Sequence, residues 1–559
     1  MYLLNAKLNL GGCIVPCTDY DNEYFTLTLK EKKGSIKATL KAKKAITMQS
    51  LELTTERVFD QNDLFFANGY QSWSTTKEYA RYEKTNDLMP ISNIGKFARF
   101  CTGAMSDYSF GLTEYGKTGI FHSYTYTYFR KKCDRKITLY GSKSERKGYT
   151  IFKVDMNKNI FSIVKDVEGL MLKKDEEYDL FDIAVIEAEY KKAFDKYFFD
   201  FMGLEKPRIQ HLAGYTSWYN YFANINEEIL LRDLAGIGRA KECTDIFQID
   251  DGYQTATGDW LSIDKKKFPH GVKYIADKIH KEGYKAGIWL APFCVQLTSK
   301  IVREHPDWLI KDEKGRNFFV HLGWGGSYAL DIYNPEVREY LKTVFHTILN
   351  EWGFDMVKLD FLYTECIKPR NGKTRGEIMC DGVDLLREVC GDKLILGCGV
   401  PLGACMGIFD ACRIGCDVNP VFEGDFPNKI KVNNEIPSAQ NSMKNAIFRS
   451  HLDGRAFCND PDVFFLRDIN LKFTWPQKLL LGKINAICGN VLFVSDNAEW
   501  YTDNELKYLK EFFENKEYEI LSAEQLDEEV IELIYKENGE EKNLTFNLNT
   551  GESTIFDCI

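Results

Sequence analysis

Over the first third of the chain the apolar positions fall in short, partly alternating runs at 24–30, 35–43, 46–57, 124–130 and 149–154, rich in β-branched and aromatic residues. A period near two with those residue types predicts strands, and the set predicts a β-sandwich over 1–187. At 188–206 the pattern changes. Ala188-Glu-Tyr-Lys-Lys-Ala-Phe-Asp-Lys-Tyr-Phe-Phe199 is apolar along one helical face and is followed by Pro207, which predicts a helical linker ending at a domain boundary.

Beyond Pro207, short apolar runs at 212–218, 246–251, 285–292, 356–361, 394–401, 411–418, 456–465 and 490–497 alternate with helical patterns at 227–242, 271–282, 335–352, 381–390, 438–451 and 475–488. Pro335 suits the first turn of its helix. Eight such runs interleaved with helices are the cadence of a (β/α)8 TIM barrel over 207–499. From about 500 the runs at 530–535 and 543–548 return to strand character, which predicts a small C-terminal β domain over 500–559. The expected fold is therefore multidomain, α/β and β, with the barrel at its centre.

A chain of 559 residues is long enough for two to four domains. Its formal charge of −10, with no long Lys/Arg block, argues against a nucleic-acid partner. The start, Met1-Tyr-Leu-Leu-Asn-Ala-Lys7, has no basic stretch followed by an apolar run, and no later run is long enough to span a bilayer. A cytoplasmic protein without a membrane partner is expected. The sixteen cysteines are scattered, several in apolar settings (Cys294, Cys398, Cys488), and read as reduced and buried. Neither Cys-x-x-Cys nor His-Glu-x-x-His spacing occurs, so no protein metal site is expected.

In a barrel the C-terminal strand ends converge on one mouth, where catalytic groups collect. Those ends carry Asp250 with Asp251, Trp289, Lys358 with Asp360, Cys398, Arg413 with Asp417, and Asp460 with Asp462. One aspartate after a strand is commonly a helix cap or turn residue; the repetition is what points to chemistry. Lys358 and Asp360 are two apart and share a strand face, so the ammonium can keep the carboxylate ionised. Arg413 and Asp417, four apart, share a face if the strand stays regular. Several carboxylates, a cation and a tryptophan, without a metal cluster, suit glycoside hydrolysis, in which one carboxylate attacks and a second, protonated one assists the leaving oxygen.

These residues resemble glycoside hydrolase family 36. The resemblance rests on Gln248-Ile-Asp-Asp-Gly-Tyr253 with Gly258-Asp-Trp-Leu261, Gly287-Ile-Trp-Leu-Ala-Pro292, Val357-Lys-Leu-Asp-Phe361 and Arg413-Ile-Gly-Cys-Asp-Val418, supported by Gly214-Tyr-Thr-Ser-Trp218, Asn459-Asp-Pro-Asp462 and Asn68-Gly-Tyr-Gln-Ser-Trp73. It implies retaining hydrolysis of terminal α-galactosides, with α-galactoside oligosaccharides as substrates and no cofactor. On the family's pattern Asp360 is the nucleophile and Asp417 the acid/base, and Asp250 and Asp251 bind sugar hydroxyls. Trp289 lines the galactose pocket, Lys358 and Arg413 hydrogen-bond substrate or nucleophile, Cys398 lines the 2-position, and Trp73 reaches over from the N-terminal domain. Two departures stand out: Phe361-Leu-Tyr follows the nucleophile where larger bacterial members have Met-Asn-Arg, and Cys416 stands where Pro is common. The same constellation serves α-N-acetylgalactosaminidases and galactosyl transferases, and a carbohydrate-binding protein without turnover is the reading from another class. The sequence leaves open whether the chain forms a homo-oligomer.

Overall fold

The computed structural model describes residues 2–86, 107, 110–424 and 437–554. The N-terminal part forms two antiparallel seven-stranded sheets. Leu3–Leu10 alternates exposed and buried positions, and its Leu4, Ala6 and Leu8 join Leu51, Leu53 and Ile163 of the same sheet and Phe25, Leu27, Ile36 and Leu40 of the other in one buried cluster. The two inner faces thus share a core, as period-two patterning requires. The run expected at 124–130 divides at Thr125, whose φ is 69°. Ile120–Tyr124 belongs to one sheet and Tyr126–Lys131 to the other, so this single left-handed residue carries the chain between sheets. The expected linker helix is present as Tyr190–Asp195, continued by a wider turn over Lys196–Phe201.

All eight expected strands of the central part form, within one parallel sheet of nine elements. The hydrogen-bonded order runs from Cys458–Asp460 through Ala411–Arg413, Leu394–Gly397, Met356–Leu359, Lys285–Leu290, Ile246–Ile249, Leu212–Thr216 and Val491–Val494 to Val463–Phe464. Its two ends are consecutive pieces of one expected run, parted only by Pro461 and Asp462, the latter at φ 77°. Asp462 bends the seventh strand so that its first half pairs with the sixth strand and its second half with the eighth. The sheet curls round on itself in the manner of a TIM-like barrel.

Helices Glu227–Ile237, Val272–Lys281, Pro335–His346, Ala439–Phe448 and Trp475–Cys488 lie where the pattern puts them. The helix expected at 381–390 begins earlier, as Arg375–Cys390, because Thr374 and Glu377 form a capping box. Residues 500–559 do not open on a strand. Asp503–Phe513 is a helix, again set by a capping box (Thr502 with Glu505), and it buries Tyr508, Leu509, Phe512 and Phe513. Phe512 packs against Gly482, where a Cβ would lie 2.3 Å from the ring. Only after this helix do Tyr518–Gln525, Val530–Glu537 and Glu540–Asn547 form a three-stranded sheet. All fourteen described cysteines are free, and no described helix is long and apolar enough to cross a membrane.

Candidate active site

A cavity of about 390 Å³ opens where the strand ends converge. Its wall takes Asp250 and Asp251 from the second strand end, Trp289 from the third, Lys358 and Asp360 from the fourth and Asp417 beyond the sixth, together with Trp73 of the N-terminal part. Seven of the nine expected site residues therefore share one cavity. Cys398 and Arg413 do not line it; both are fully buried or nearly so, and each hydrogen-bonds a residue that does, Trp73 and Asp417 respectively.

The wall is deepest at the carboxylates. Lys358 Nζ donates to Asp250 Oδ2 at 2.9 Å, and Gln248 Nε2 and Thr216 Oγ1 donate to the same oxygen at 3.0 and 3.4 Å. The expected Lys358–Asp360 pairing is thus not a hydrogen bond: the ammonium reaches past the neighbouring strand, which carries Trp289, to the end of the one beyond. Burial works against the Lys358 charge, yet Asp250, with help from Cys398 and Asp360, holds its pKa above the ordinary value. Asp251 accepts from Trp324 Nε1 at 2.8 Å and Gln254 Nε2 at 2.6 Å. Burial raises its pKa, with these two donors opposing.

Asp360 accepts from Trp289 Nε1 at 3.0 Å and from the backbone N–H of Phe361 at 2.8 Å. Phe361 itself takes up the left-handed φ of 55° directly after the nucleophile position. Burial pushes the Asp360 carboxyl above the usual carboxylate range and the Asp417 charge adds to this, while Lys358, Trp289 and Cys398 pull it back. The arrangement can hold a desolvated anion, which is a better nucleophile than a hydrated one, at the cost of needing those three neighbours.

Asp417 sits higher. Its side chain is 45% exposed, whereas Asp360 and Asp250 are buried. Arg413 Nη2 donates to Asp417 Oδ1 at 3.0 Å and to Asp462 Oδ2 at 2.9 Å. Asp462 also takes the Tyr219 hydroxyl and the Val418 amide, so it anchors the loop that carries Asp417. The spacing of four did bring Arg413 to Asp417, although the strand ends at Arg413 and the long guanidinium makes the connection.

Trp73 lies on a loop that the N-terminal part lays over the barrel. Its indole donates to Cys398 Sγ at 3.3 Å, and Ser72 N donates to Val400 O at 3.0 Å. The loop is held by Arg449, fully buried, which donates to Asn68 Oδ1 (3.0 Å), Ser72 O (2.6 Å), Ile414 O (2.9 Å), Gln71 O (3.0 Å) and Gly69 O (3.4 Å). Sequence reasoning missed Arg449, along with His321, Trp324 and Tyr219. Tyr219 stands two places after the quoted Ser217, and Asn68 to Trp73 was already a marked stretch, but nothing local signals the partner of either. No group of described residues is arranged to hold a metal ion.

Residues 216–379 match the melibiase family model. Among sequence relatives, α-galactosidase Mel36A of Lactobacillus acidophilus is 29% identical over 26% of this chain and 20% of that protein, and α-galactosidase 1 of Pediococcus pentosaceus 28% identical over 29% and 21%. The aligned stretch thus spans about a fifth of the length of these curated relatives. The fold is shared more widely. The α-galactosidase of Thermus thermophilus, solved with p-nitrophenyl α-D-galactopyranoside, superposes with a TM-score of 0.70 over 96% of this chain and 98% of that one at 24% identity. The family 36 α-galactosidase AgaA of Geobacillus stearothermophilus gives 0.59 over 95% and 80% at 11% identity. The similarity is thus to the melibiase-type glycoside hydrolases of family 36, in sequence over residues 216–379 and in fold over nearly the whole chain.

Proposed function

We propose that this chain is a retaining α-galactosidase, built as a (β/α)8 barrel between an N-terminal β-sandwich (1–187, with the linker 188–206) and a C-terminal β domain. The helix Asp503–Phe513 joins the barrel in this scheme, which moves the last boundary from 500 to about 514. The observation that carries the functional reading is the pairing, on one cavity, of a buried carboxylate held by two N–H donors with a half-exposed carboxylate held by an arginine. Asp360 is the nucleophile that forms the glycosyl-enzyme ester. Asp417 protonates the leaving oxygen and then serves as base for the incoming water. Asp250 and Asp251 accept from galactose hydroxyls. Lys358 and Arg413 orient carboxylates, Trp289 orients Asp360, and Cys398 with Trp73 closes one side. The Thermus relative, solved with a nitrophenyl galactoside and with stachyose, names the substrate class this reading adopts.

The test separates the two carboxylates. In Asp417→Ala an activated aryl galactoside should still galactosylate Asp360, the ester should accumulate, and azide should restore turnover as the α-galactosyl azide. Asp360→Ala should lose every substrate, with any azide product β-configured. Equal loss on aryl galactoside and melibiose in Asp417→Ala would defeat the acid/base assignment, and β-galactose as the first-formed product of the unaltered enzyme would defeat retention. A panel of aryl α-galactoside, α-N-acetylgalactosaminide and α-glucoside decides the sugar.

A further inference from the structure

The third strand is followed by a long excursion that forms a small sheet of its own, Cys294–Gln296, Phe319–His321 and Ser327–Ala329, whose order puts Ser327–Ala329 in the middle. The sheet delivers the segment His321-Leu-Gly-Trp324 to the cavity, where His321, Gly323 and Trp324 form part of the wall. None of the catalytic steps above uses His321.

Its ring is closely constrained. Gly323 N donates to His321 Nδ1 at 2.9 Å. A Cβ on Gly323 would lie 2.2 Å from the imidazole Cε1, so only glycine lets that amide approach. The ring also packs on Phe361, with centroids 4.7 Å apart, and on Trp324 at 5.5 Å. Burial lowers its pKa from 6.5 to about 4, which keeps the imidazole neutral at physiological pH. A neutral imidazole whose Nδ1 lone pair is occupied carries its proton on Nε2. Among the described residues no side chain or backbone group takes up Nε2. The cavity therefore presents a directed N–H donor of one tautomer.

The depth of the cavity says what that donor faces. Asp250, Asp251, Trp289, Lys358 and Asp360 are buried, whereas His321, Trp324, Phe361 and Asp417 are less so. Under the proposed α-galactosidase reading, on which this inference rests, the galactosyl ring occupies the buried end and the departing group leaves past Asp417 at the outer end. We infer that His321 is a specificity-determining residue of the leaving-group subsite, donating from Nε2 to an oxygen of the second sugar of an oligosaccharide substrate.

The test compares melibiose with p-nitrophenyl α-galactoside, whose aryl leaving group offers no sugar oxygen. In His321→Ala, kcat/KM for melibiose should fall roughly tenfold, the loss of one neutral hydrogen bond in a cavity, and change less than about twofold for the aryl substrate, which also certifies the fold. His321→Gln, which keeps a donor, should recover part of the melibiose rate. With the aryl galactoside as donor and free glucose as acceptor, the ratio of transfer to hydrolysis should drop in His321→Ala as the melibiose rate does. Equal losses on the two substrates, or an unchanged melibiose rate, would overturn the role of His321 alone. An unaltered enzyme that turned over neither would overturn the α-galactosidase reading and this inference with it.

Discussion

Replacing Arg449 by methionine would test whether the N-terminal part is a working wall of the site. The guanidinium makes five hydrogen bonds, four of them to backbone carbonyls, at 2.6 to 3.4 Å. Burial lowers its pKa from 12.5 to about 10, so it stays charged at neutral pH, its cost offset by those oxygens. Each bond to a charged donor contributes about 1.5–3 kcal/mol net. A plain sum would rival the whole stability of a typical protein, about 5–15 kcal/mol. The sum is therefore a bound, because water and loop relaxation recover part of it. Arg449→Met removes the charge and leaves neutral oxygens, each costing about 1–3 kcal/mol if it stays buried and unpaired, so after relaxation a local loss of about 3–4 kcal/mol is expected.

That energy is local to residues 68–72 and to Ile414, so it should appear as local opening. Amide hydrogen exchange should accelerate roughly 10²- to 10³-fold around Trp73, the equivalent of about 3–4 kcal/mol, while sheet amides of the barrel change little. Because Trp73 then loses its place against Cys398 and Phe361, kcat/KM should fall about 10- to 100-fold, the scale on which a displaced positioning group costs rate. Arg449→Lys, with three donors in place of five, should recover part of both. Unchanged exchange at 68–76 together with unchanged kcat/KM in Arg449→Met would refute the clasp, and faster exchange without loss of activity would refute the part assigned to the loop.

Gly399 has φ +55°, and a Cβ there would lie 2.9 Å from Trp73 Cζ2 and 3.0 Å from Phe361 N. Gly399→Ala should therefore cost about 2–5 kcal/mol from backbone and overpacking together. Gly315→Ala, at φ +75° in open space, should show the backbone part alone in parallel denaturant titrations. Burial, with Asp462 adding, raises Asp460 from 3.8 to about 6 against the pull of Arg413 and Lys358. A folded-state pKa above the unfolded value means that the native state binds the proton more tightly, so this group's contribution declines as pH rises from about 4 to 6, by about 3 kcal/mol. Asp460→Asn keeps the oxygen that accepts from Asp462 N and should flatten the fall in denaturation midpoint across that window; an unchanged difference between pH 4 and 6 would refute it.

The barrel strands were legible because most centre on a short, mainly apolar run, and a strand buried on both faces needs no alternation to be recognised. The carboxylates were legible for a related reason: a charged residue directly after such a run has no core role there. Their partners were not, since pairing is decided across strands. Lys358 shares a face with Asp360 yet bonds Asp250, because the parallel register sets Trp289 beside Lys358 and leaves the ammonium reaching over to the strand beyond. Thr125 and Asp462, two positive-φ residues that redirect strands, are neither glycine nor asparagine and gave no turn signal. Asp503–Phe513 escaped because the strand-like runs at 530–535 and 543–548 set the character of the tail as a whole. His321 and Arg449 belong to no periodic pattern at all.

Arg413 binds two carboxylates with one nitrogen, and the asymmetry between them bears on the proposed cycle. Asp462 is buried and further bonded to Tyr219 and Val418; Asp417 is half-exposed and, among the described residues, is held by Arg413. When Asp417 carries the proton destined for the leaving oxygen, its attraction to the guanidinium weakens, but Asp462 still neutralises Arg413, so no buried cation is left unpaired. When Asp417 has given the proton up, the same guanidinium is already within 3.0 Å to receive the new charge. One arginine shared between a permanent anion and an alternating one thus lets the outer carboxylate change charge twice per turnover without moving the inner wall. Asp462→Asn removes the permanent partner and tests this directly. Arg413 should then bind Asp417 more exclusively and favour its ionised form, so the protonation step should weaken most: kcat/KM for melibiose should fall more than that for an aryl galactoside. Equal falls would show that Asp462 only holds the loop.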